Sequence, residues 1–313
     1  MVSVKKILFP TDFSICAERA FGHAAYLADQ YGAEVHLLHV IETYGTDASP
    51  LIEDTVISEE DIAEQLHVAT GVARQTPTDE GVHIIQVQRH GASPSAVILD
   101  YAQEQDMDLI VMGTQGRRGV DRLLAGSVAE EVVRLSPCPV FTVRTGKDPV
   151  PRRAVRTILV PIDLSEHSRA ALRYARDLAA SYEAHLEVVH VIEEEVMPVV
   201  YGLDAVAPPT EQVHRQAAEA LHNLIAEEVG AEQVATTITV GHPAAEVLAY
   251  AKAHEVDLIV IATHGRTGLK HFLMGSVAEK VVRMAPCPVF TVKSFGKVLV
   301  PQEQATAVED AQG

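Results

Sequence analysis

Two glycine-rich segments, each directly after a short apolar run, have the residue types and spacing expected of a phosphate-binding loop. Both follow the pattern G-x2-G-x9-G-S, except that alanine takes the first position of the second segment. The positions are Gly113, Gly116, Gly126 and Ser127 in the first copy and Ala262, Gly265, Gly275 and Ser276 in the second. Glycine allows a ligand to approach the backbone closely. Each Gly-Ser pair is predicted to begin a helix, where free N–H groups and the dipole favour anions.

An aspartate follows the first strand-like run of each copy. The residues at these two ends are Pro10, Thr11 and Asp12, and Pro161, Ile162 and Asp163. Ligands of open parallel sheets bind beyond the carboxyl ends of the strands, where the strand order reverses. If strands one and four are neighbours there, the aspartate and the glycine loop line one crevice. A lone aspartate is more often a turn or helix cap, but its repetition favours a functional role.

Ala262 leaves two alternatives open for the second copy. Alanine tolerates positive φ poorly, so a position that requires positive φ would weaken this site. A position that requires only a small side chain would accept alanine. The rest of the second motif is intact, which favours the small-side-chain alternative.

Other residue types are less informative. Loop arginines such as Arg117, Arg118 and Arg266 could reach phosphates, although such arginines are usually solvated. The 15 histidines form no HxH or HExxH motif, so no protein-only metal site is expected. Magnesium carried in with a polyphosphate ligand is a further expectation, with Asp12 and Asp163 as nearby carboxylates. The three cysteines form no CxxC motif and are interpreted as small buried side chains.

An internal repeat organises these features. Ile7-Leu8-Phe9-Pro10-Thr11-Asp12 returns 151 residues later as Ile158-Leu159-Val160-Pro161-Ile162-Asp163, and His39-Val40-Ile41-Glu42 returns at the same spacing. Gly126-Ser127-Val128-Ala129-Glu130 returns after 149 residues. A period this long indicates a duplicated domain rather than a solenoid. We therefore expect domains at 1–146 and 157–295, a linker at 147–156 and a polar tail at 296–313.

Each copy alternates strand and helix patterns. Helix starts are predicted at Ser14, at Ser93-Pro94 and at Gly126-Ser127, and Ser58 with Asp61 resembles a capping box after a loop at 43–57. Apolar strands alternating with helices predict an α/β fold: two Rossmann-like doubly wound domains, each a parallel sheet with helices on both faces. The phosphate loop follows strand four and lacks G-K-[ST], which separates it from P-loops and dehydrogenases.

The bulk composition narrows the function further. The net charge is −18 and both halves are acidic, which argues against nucleic-acid binding. The sequence lacks a membrane-length apolar run and a signal-peptide pattern, so the expectation is a cytoplasmic protein with no membrane partner.

Together these motifs make the sequence similar to the universal stress protein family, in its tandem two-domain form. The similarity extends from about Val4 to Val292 and includes V-A-E-x-V-V-R and P-C-P-V after the loop motif. It implies strand order 3-2-1-4-5 and an adenine-nucleotide site. In ATP-binding members the strand-one aspartate holds the ribose, the residue ending strand two lies against adenine, and the glycine loop holds the phosphates. The additional positions assigned in this way are Val40, Val128, Val191 and Val277.

The leading functional hypothesis is an ATP-binding stress or signalling module that is not an enzyme, with at most weak ATP hydrolysis. A slow ATPase is one alternative, but the first copy has no lysine between Lys6 and Lys147 to neutralise phosphate charge. A nucleotide-free interaction scaffold is the other. The short apolar runs Pro139–Val143 and Pro288–Val292 are predicted to be sheet edges that pair as an intrachain pseudo-dimer. A homodimer and a regulatory protein partner are further expectations.

Overall fold

A computed structural model describes residues 2–43, 82–114, 126–144, 155–193, 211–230, 234–265, 274–293 and 295–299. The strands in these ranges are β1 (Lys6–Thr11), β2 (Glu34–Glu42), β3 (Ile84–Gly91), β4 (Leu109–Gly113), β5 (Val140–Val143), β6 (Thr157–Pro161), β7 (His185–Glu193), β8 (Val234–Gly241), β9 (Leu258–Ala262) and β10 (Val289–Val292). The helices are α1 (Ile15–Tyr31), α2 (Pro94–Glu104), α3 (Ser127–Leu135), α4 (Glu166–Tyr182), α5 (Glu211–Glu228), α6 (Pro243–Ala253) and α7 (Ser276–Met284).

The ten strands form one continuous sheet in the order β3-β2-β1-β4-β5-β10-β9-β6-β7-β8. Each half is parallel and has the predicted order 3-2-1-4-5, read from its outer edge towards the middle of the sheet. The halves meet where β5 pairs antiparallel with β10. The fold class and the pairing of the two fifth strands are thereby confirmed.

Helices cover both faces of this sheet. Successive side chains of a strand point to opposite faces, so both faces have apolar side chains to bury. Ile7 and Phe9 of β1 belong to the core under α1, α4 and α5, whereas Leu8 belongs to the core under α2, α3, α6 and α7. All three side chains are buried. Both cores contain residues of both halves, so the duplication produces shared hydrophobic layers. None of the helices in the described ranges is both long and apolar enough to span a membrane.

Helix ends follow the sequence signals where they are described. Ser14 Oγ accepts a hydrogen bond from Ala17 N at 3.2 Å, and Gly32 ends α1 with φ of 63°. Ser93 caps α2 ahead of Pro94. These caps confirm the predicted boundaries. The predicted capping box at Ser58 and the loop before it lie outside the described residues, as does most of the linker.

The contact between the halves is built by equivalent residues in crossed pairs. Thr142 Oγ1 donates to Val289 O and Thr291 Oγ1 donates to Val140 O, both at 3.1 Å. Across the same boundary, the rings of Tyr26 in α1 and Tyr182 in α4 stack at 4.7 Å. A pseudo-twofold axis therefore passes between β5 and β10.

The segment 295–299, at the start of the expected tail, packs across this axis onto the first half. Lys297 N donates to Pro137 O at 2.8 Å, and Lys297 Nζ lies 2.6 Å from Asp108 Oδ1. Leu299 is buried, and its N–H donates to the Tyr174 hydroxyl at 2.7 Å. The first residues of the expected tail are thus part of the folded structure.

Candidate functional site

The corner after each first strand has the same geometry in both halves. Asp12 Oδ1 accepts from Ser14 N at 3.0 Å, and Asp163 Oδ1 accepts from Ser165 N at 3.0 Å. The intervening residue has a left-handed backbone in each case, with φ of 58° at Phe13 and 64° at Leu164. A left-handed backbone is uncommon in residues other than glycine and is often retained at functional sites. These contacts fix the aspartate at the carboxyl end of strand one. The N-cap serine of the following helix lies two residues later.

A histidine on strand two is hydrogen-bonded to the backbone of this corner in each half. These histidines were not predicted from the sequence as part of the site. His39 Nδ1 lies 2.9 Å from Thr11 O, and His190 Nδ1 lies 2.7 Å from Ile162 O. A carbonyl can only accept, so Nδ1 carries the proton in both rings. The repeated His-Val-Ile-Glu segment was the available signal. It places Val40 and Val191 directly after these histidines, where both side chains are partly buried.

The second side of the site is the start of the helix that follows strand four. Gly126 N donates to Thr114 O at 2.6 Å, and Gly275 N donates to Thr263 O at 2.8 Å. Both glycines are N-caps without a capping side chain, unlike Ser14 and Ser165 on the helices after strand one. Neither cap residue therefore supplies a side-chain acceptor to the first-turn N–H groups of α3 and α7. The following Ser127 and Ser276 are exposed. These groups could bind an anion.

The two sides come together at Gly265. A Cβ atom built on Gly265 would lie 2.5 Å from Asp163 Oδ2, so only glycine allows the aspartate this position. β6 and β9 are neighbours, as are β1 and β4 in the first half. The expected adjacency of strands one and four is thus confirmed in both halves, and in the second half it brings the aspartate next to the glycine loop. The equivalent Gly116, together with Arg117 and Arg266, lies outside the described residues.

Gly113 and Ala262 end equivalent strands with no positive φ at either residue. A Cβ on Gly113 would lie 3.0 Å from the carbonyl carbon of Cys16, whereas Ala262 is accommodated as a buried residue of β9. The position therefore requires a small side chain rather than an unusual backbone, which is the alternative favoured by the sequence.

The remaining predicted positions line the same end of the sheet. Thr11 and Ile162 are buried at the ends of their strands, and Val128 and Val277 pack partly buried in the first turns of α3 and α7. Pro10 is buried and Pro161 partly buried. The direct role of each residue in binding stays a prediction.

Two of the three cysteine thiols are held in the neutral form by burial. Burial raises the pKa of the Cys138 thiol to about 11 and that of Cys287 to about 12. All three cysteines are buried thiols. Within the ranges that the structure describes, histidine, cysteine and acidic side chains form no group of three that could hold a metal.

Comparison with known proteins identifies the family. The model of the universal stress protein family matches twice, over residues 3–144 and 154–293. The chain belongs to the universal stress protein family. A universal stress protein of Methanocaldococcus jannaschii is 36% identical over 143 residues, which are 46% of this chain and 84% of the relative. One from Mycobacterium bovis is 29% identical over 205 residues, 64% of this chain and 66% of the relative.

Solved structures support the tandem universal stress protein fold over most of the chain. A crystal structure of a universal stress protein from Archaeoglobus fulgidus matches with a TM-score of 0.64 and 22% identity, covering 92% of this chain and 98% of that one. A crystal structure from Pseudomonas aeruginosa matches with a TM-score of 0.66 and 20% identity, covering 93% of each chain. At this level of identity the likeness concerns the fold.

Proposed function

We propose that this universal stress protein binds one ATP in each half and acts as a nucleotide-dependent regulatory module in a stress response or signalling process. The observation that carries the proposal is the repeated site at the ends of strands one and four. In each half an oriented aspartate follows strand one, and the helix after the neighbouring strand four begins at a glycine, which offers no capping side chain. If this arrangement had no function, the two halves would not both be expected to retain the aspartate and the glycine-capped helix.

The site residues fit the two polar ends of a nucleotide. First-turn N–H groups of α3 and α7, with Ser127 and Ser276, would bind the phosphates. Asp12 and Asp163 would accept hydrogen bonds from ribose hydroxyls. Val40 and Val191 would contact the base from the ends of β2 and β7. Magnesium that accompanies ATP would reduce the repulsion between the phosphates and these aspartates.

A regulatory role is favoured over catalysis by the side chains available. Rapid phosphoryl transfer needs charge neutralisation and a group that positions the nucleophile. No lysine occurs between Lys6 and Lys147 in the first copy. A slow ATPase remains the alternative function, and a nucleotide-free scaffold is the other. Measuring phosphate release during ATP binding separates the first alternative from the proposal.

Calorimetric titration of the full chain with ATP tests the proposal, with AMP and cyclic AMP as competitors. Two sites are expected. Gly275→Val should weaken ATP binding at the second site at least about tenfold, equivalent to about 1.4 kcal/mol, because a branched side chain separates phosphate from the backbone. Gly126→Val is the corresponding change in the first half.

Gly22→Ala is the matched control, since a Cβ at Gly22 meets nothing within 4 Å. Absence of ATP binding at millimolar ligand would contradict the proposal. Mass spectrometry of ligand released from freshly purified protein identifies which nucleotide occupies the sites.

A further inference from the structure

The residue that follows each fifth strand is a cation directed at the other half. Arg144 Nη1 donates to Arg283 O at 2.9 Å and to Ala285 O at 3.3 Å. Lys293, its equivalent 149 residues later, donates from Nζ to Val133 O and to Arg134 O, the latter at 3.1 Å. Each cation therefore binds carbonyls at the C-terminal end of one helix, α7 for Arg144 and α3 for Lys293.

These carbonyls are the ones that a helix leaves without internal partners. The last turn of a helix has unpaired C=O groups and the negative end of the dipole, which a cation stabilises. Antiparallel pairing of β5 with β10 brings each cation to this position. The exchange is reciprocal, so the halves clamp each other's helices.

The clamped helices are the same two whose first turns face the candidate phosphate sites. α3 and α7 have nine residues each, so a rigid rod of about 13 Å joins the cation at one end to the anion site at the other. A shift of the C-terminal end therefore moves the N–H groups that would bind phosphate.

Each cation is also joined through the backbone to the loop of its own half. Thr114 N donates to Val143 O and Thr263 N donates to Val292 O, both at 2.9 Å. Val143 precedes Arg144, and Val292 precedes Lys293. A chain of contacts therefore leads from the site of one half, through the cation of that half, to the helix and site of the other half. The equivalent contacts lead back to the first site.

We propose that Arg144 and Lys293 are positioning residues, each of which orients the phosphate-binding helix of the opposite half and thereby couples the two nucleotide sites. The proposal rests on the proposed function. Arg144 supports the second site and Lys293 supports the first, although each lies in the other half.

The two clamps differ in chemistry, which makes them separable. Lys293 is buried beneath the Phe295 ring, and this burial lowers its pKa to about 8. The ionisable group that faces it is the Cys138 thiol, whose pKa of about 11 keeps it neutral there. Burial also lowers the pKa of Arg144, but a guanidinium stays charged in this range. Rising pH therefore weakens the clamp on α3 and leaves that on α7 intact.

The test uses full-length chains with one site closed. In the Gly126→Val chain the tighter ATP binding reports on the second site, and in the Gly275→Val chain it reports on the first. Arg144→Met is expected to weaken the second site about fivefold and leave the first within about twofold. Lys293→Met should give the mirror pattern. Arg144→Lys and Lys293→Arg should restore most of the affinity, because they keep the charge.

A second measurement compares pH profiles with both cations native, and then with Lys293→Arg. Between about pH 7.5 and about pH 9, ATP affinity should fall at the first site more than at the second, and Lys293→Arg should remove the difference. Circular dichroism checks that each variant is folded, and the pH comparison decides the matter where one is not. Equal effects on both sites, effects confined to the cation's own half, or identical pH profiles would overturn the proposal. Loss of ATP binding by the unsubstituted chain would instead contradict the proposed function.

Discussion

Gly113 and Ala262 occupy equivalent positions but meet different neighbours. A Cβ on Gly113 would press on the carbonyl carbon and Sγ of Cys16, both at 3.0 Å. The second half has His167 in place of Cys16, and alanine fits at the end of β9. The glycine of the first half is therefore required by its contact with α1.

The two positions should respond differently to exchange. Gly113→Ala is expected to lower the free energy of unfolding by about 1–3 kcal/mol, because the start of α1 must move. Ala262→Gly should leave ATP affinity at the second site within about twofold. Urea unfolding and calorimetry measure the two effects. A large gain in affinity with Ala262→Gly would show that alanine does impair that site.

His23 should make the fold sensitive to acid. It lies on α1 with its ring 4.9 Å from that of Phe141, and burial lowers its pKa from 6.5 to about 4. The unfolded chain therefore binds the proton more readily between these values. The stability from neutral His23 is complete above about pH 6.5 and is lost as pH falls toward 4, by at most about 3 kcal/mol.

His23→Gln should accordingly reduce the loss of melting temperature between about pH 7 and about pH 5. His185→Gln is the control, since His185 is exposed on β7. The same acid sensitivity in His23→Gln and the unsubstituted chain would assign the effect to other groups.

At the scale of elements, the segment 295–299 depends on one glycine. Gly296 has φ of 84°, and a Cβ there would collide with the carbonyl oxygen of Pro137. Its neighbour Lys297 pairs with Asp106 and Asp108, and the main chain of Leu299 bonds to Ser3 and Tyr174. The segment thus joins the end of the second half to the beginning of the first.

Gly296→Ala should release this segment and lower the free energy of unfolding by about 1–3 kcal/mol. Gly230→Ala is a matched control, because Gly230 has φ of 89° but open space around its Cα. It should cost only the strain of positive φ, about 1 kcal/mol. Equal losses in the two variants would show that the contact with Pro137 contributes nothing.

Local signals explain which elements could be predicted. Ser14, Ser93 and Gly32 act on neighbours within a few residues, so their caps were readable from the sequence. Lys297 contacts Asp106, 191 residues away, and nothing near it in the sequence indicates that partner. The repeat pointed to the histidines at the strand-one corner, but their partner depends on the register of β1 against β2 and could not be predicted locally. Long-range pairing, rather than propensity, sets these features.

At the scale of the whole molecule, the central pairing of β5 with β10 replaces what would otherwise be two exposed edges. Val140, Phe141 and Thr142 are buried there. Without the second half, these residues would form an apolar edge that invites another strand. The match to the M. jannaschii relative has the length of a single half and covers 84% of that chain. One such unit can therefore exist in a separate chain.

Residues 1–146 expressed alone should therefore dimerise through β5 at tens of micromolar protein. Analytical ultracentrifugation measures the association. Thr142→Lys should keep the isolated half monomeric, because it places a charge on the pairing edge. A monomeric, folded half without this substitution would show that edge pairing depends on the covalent connection.

The covalent joining of two equivalent halves also changes how their sequences can evolve. In a symmetric dimer of identical chains, every substitution is made twice, once in each subunit. Here Arg144 is matched by Lys293, Gly113 by Ala262, and Cys16 by His167. Each difference is a change that one half carries and the other does not. A single gene can therefore refine one site while its twin keeps the ancestral chemistry.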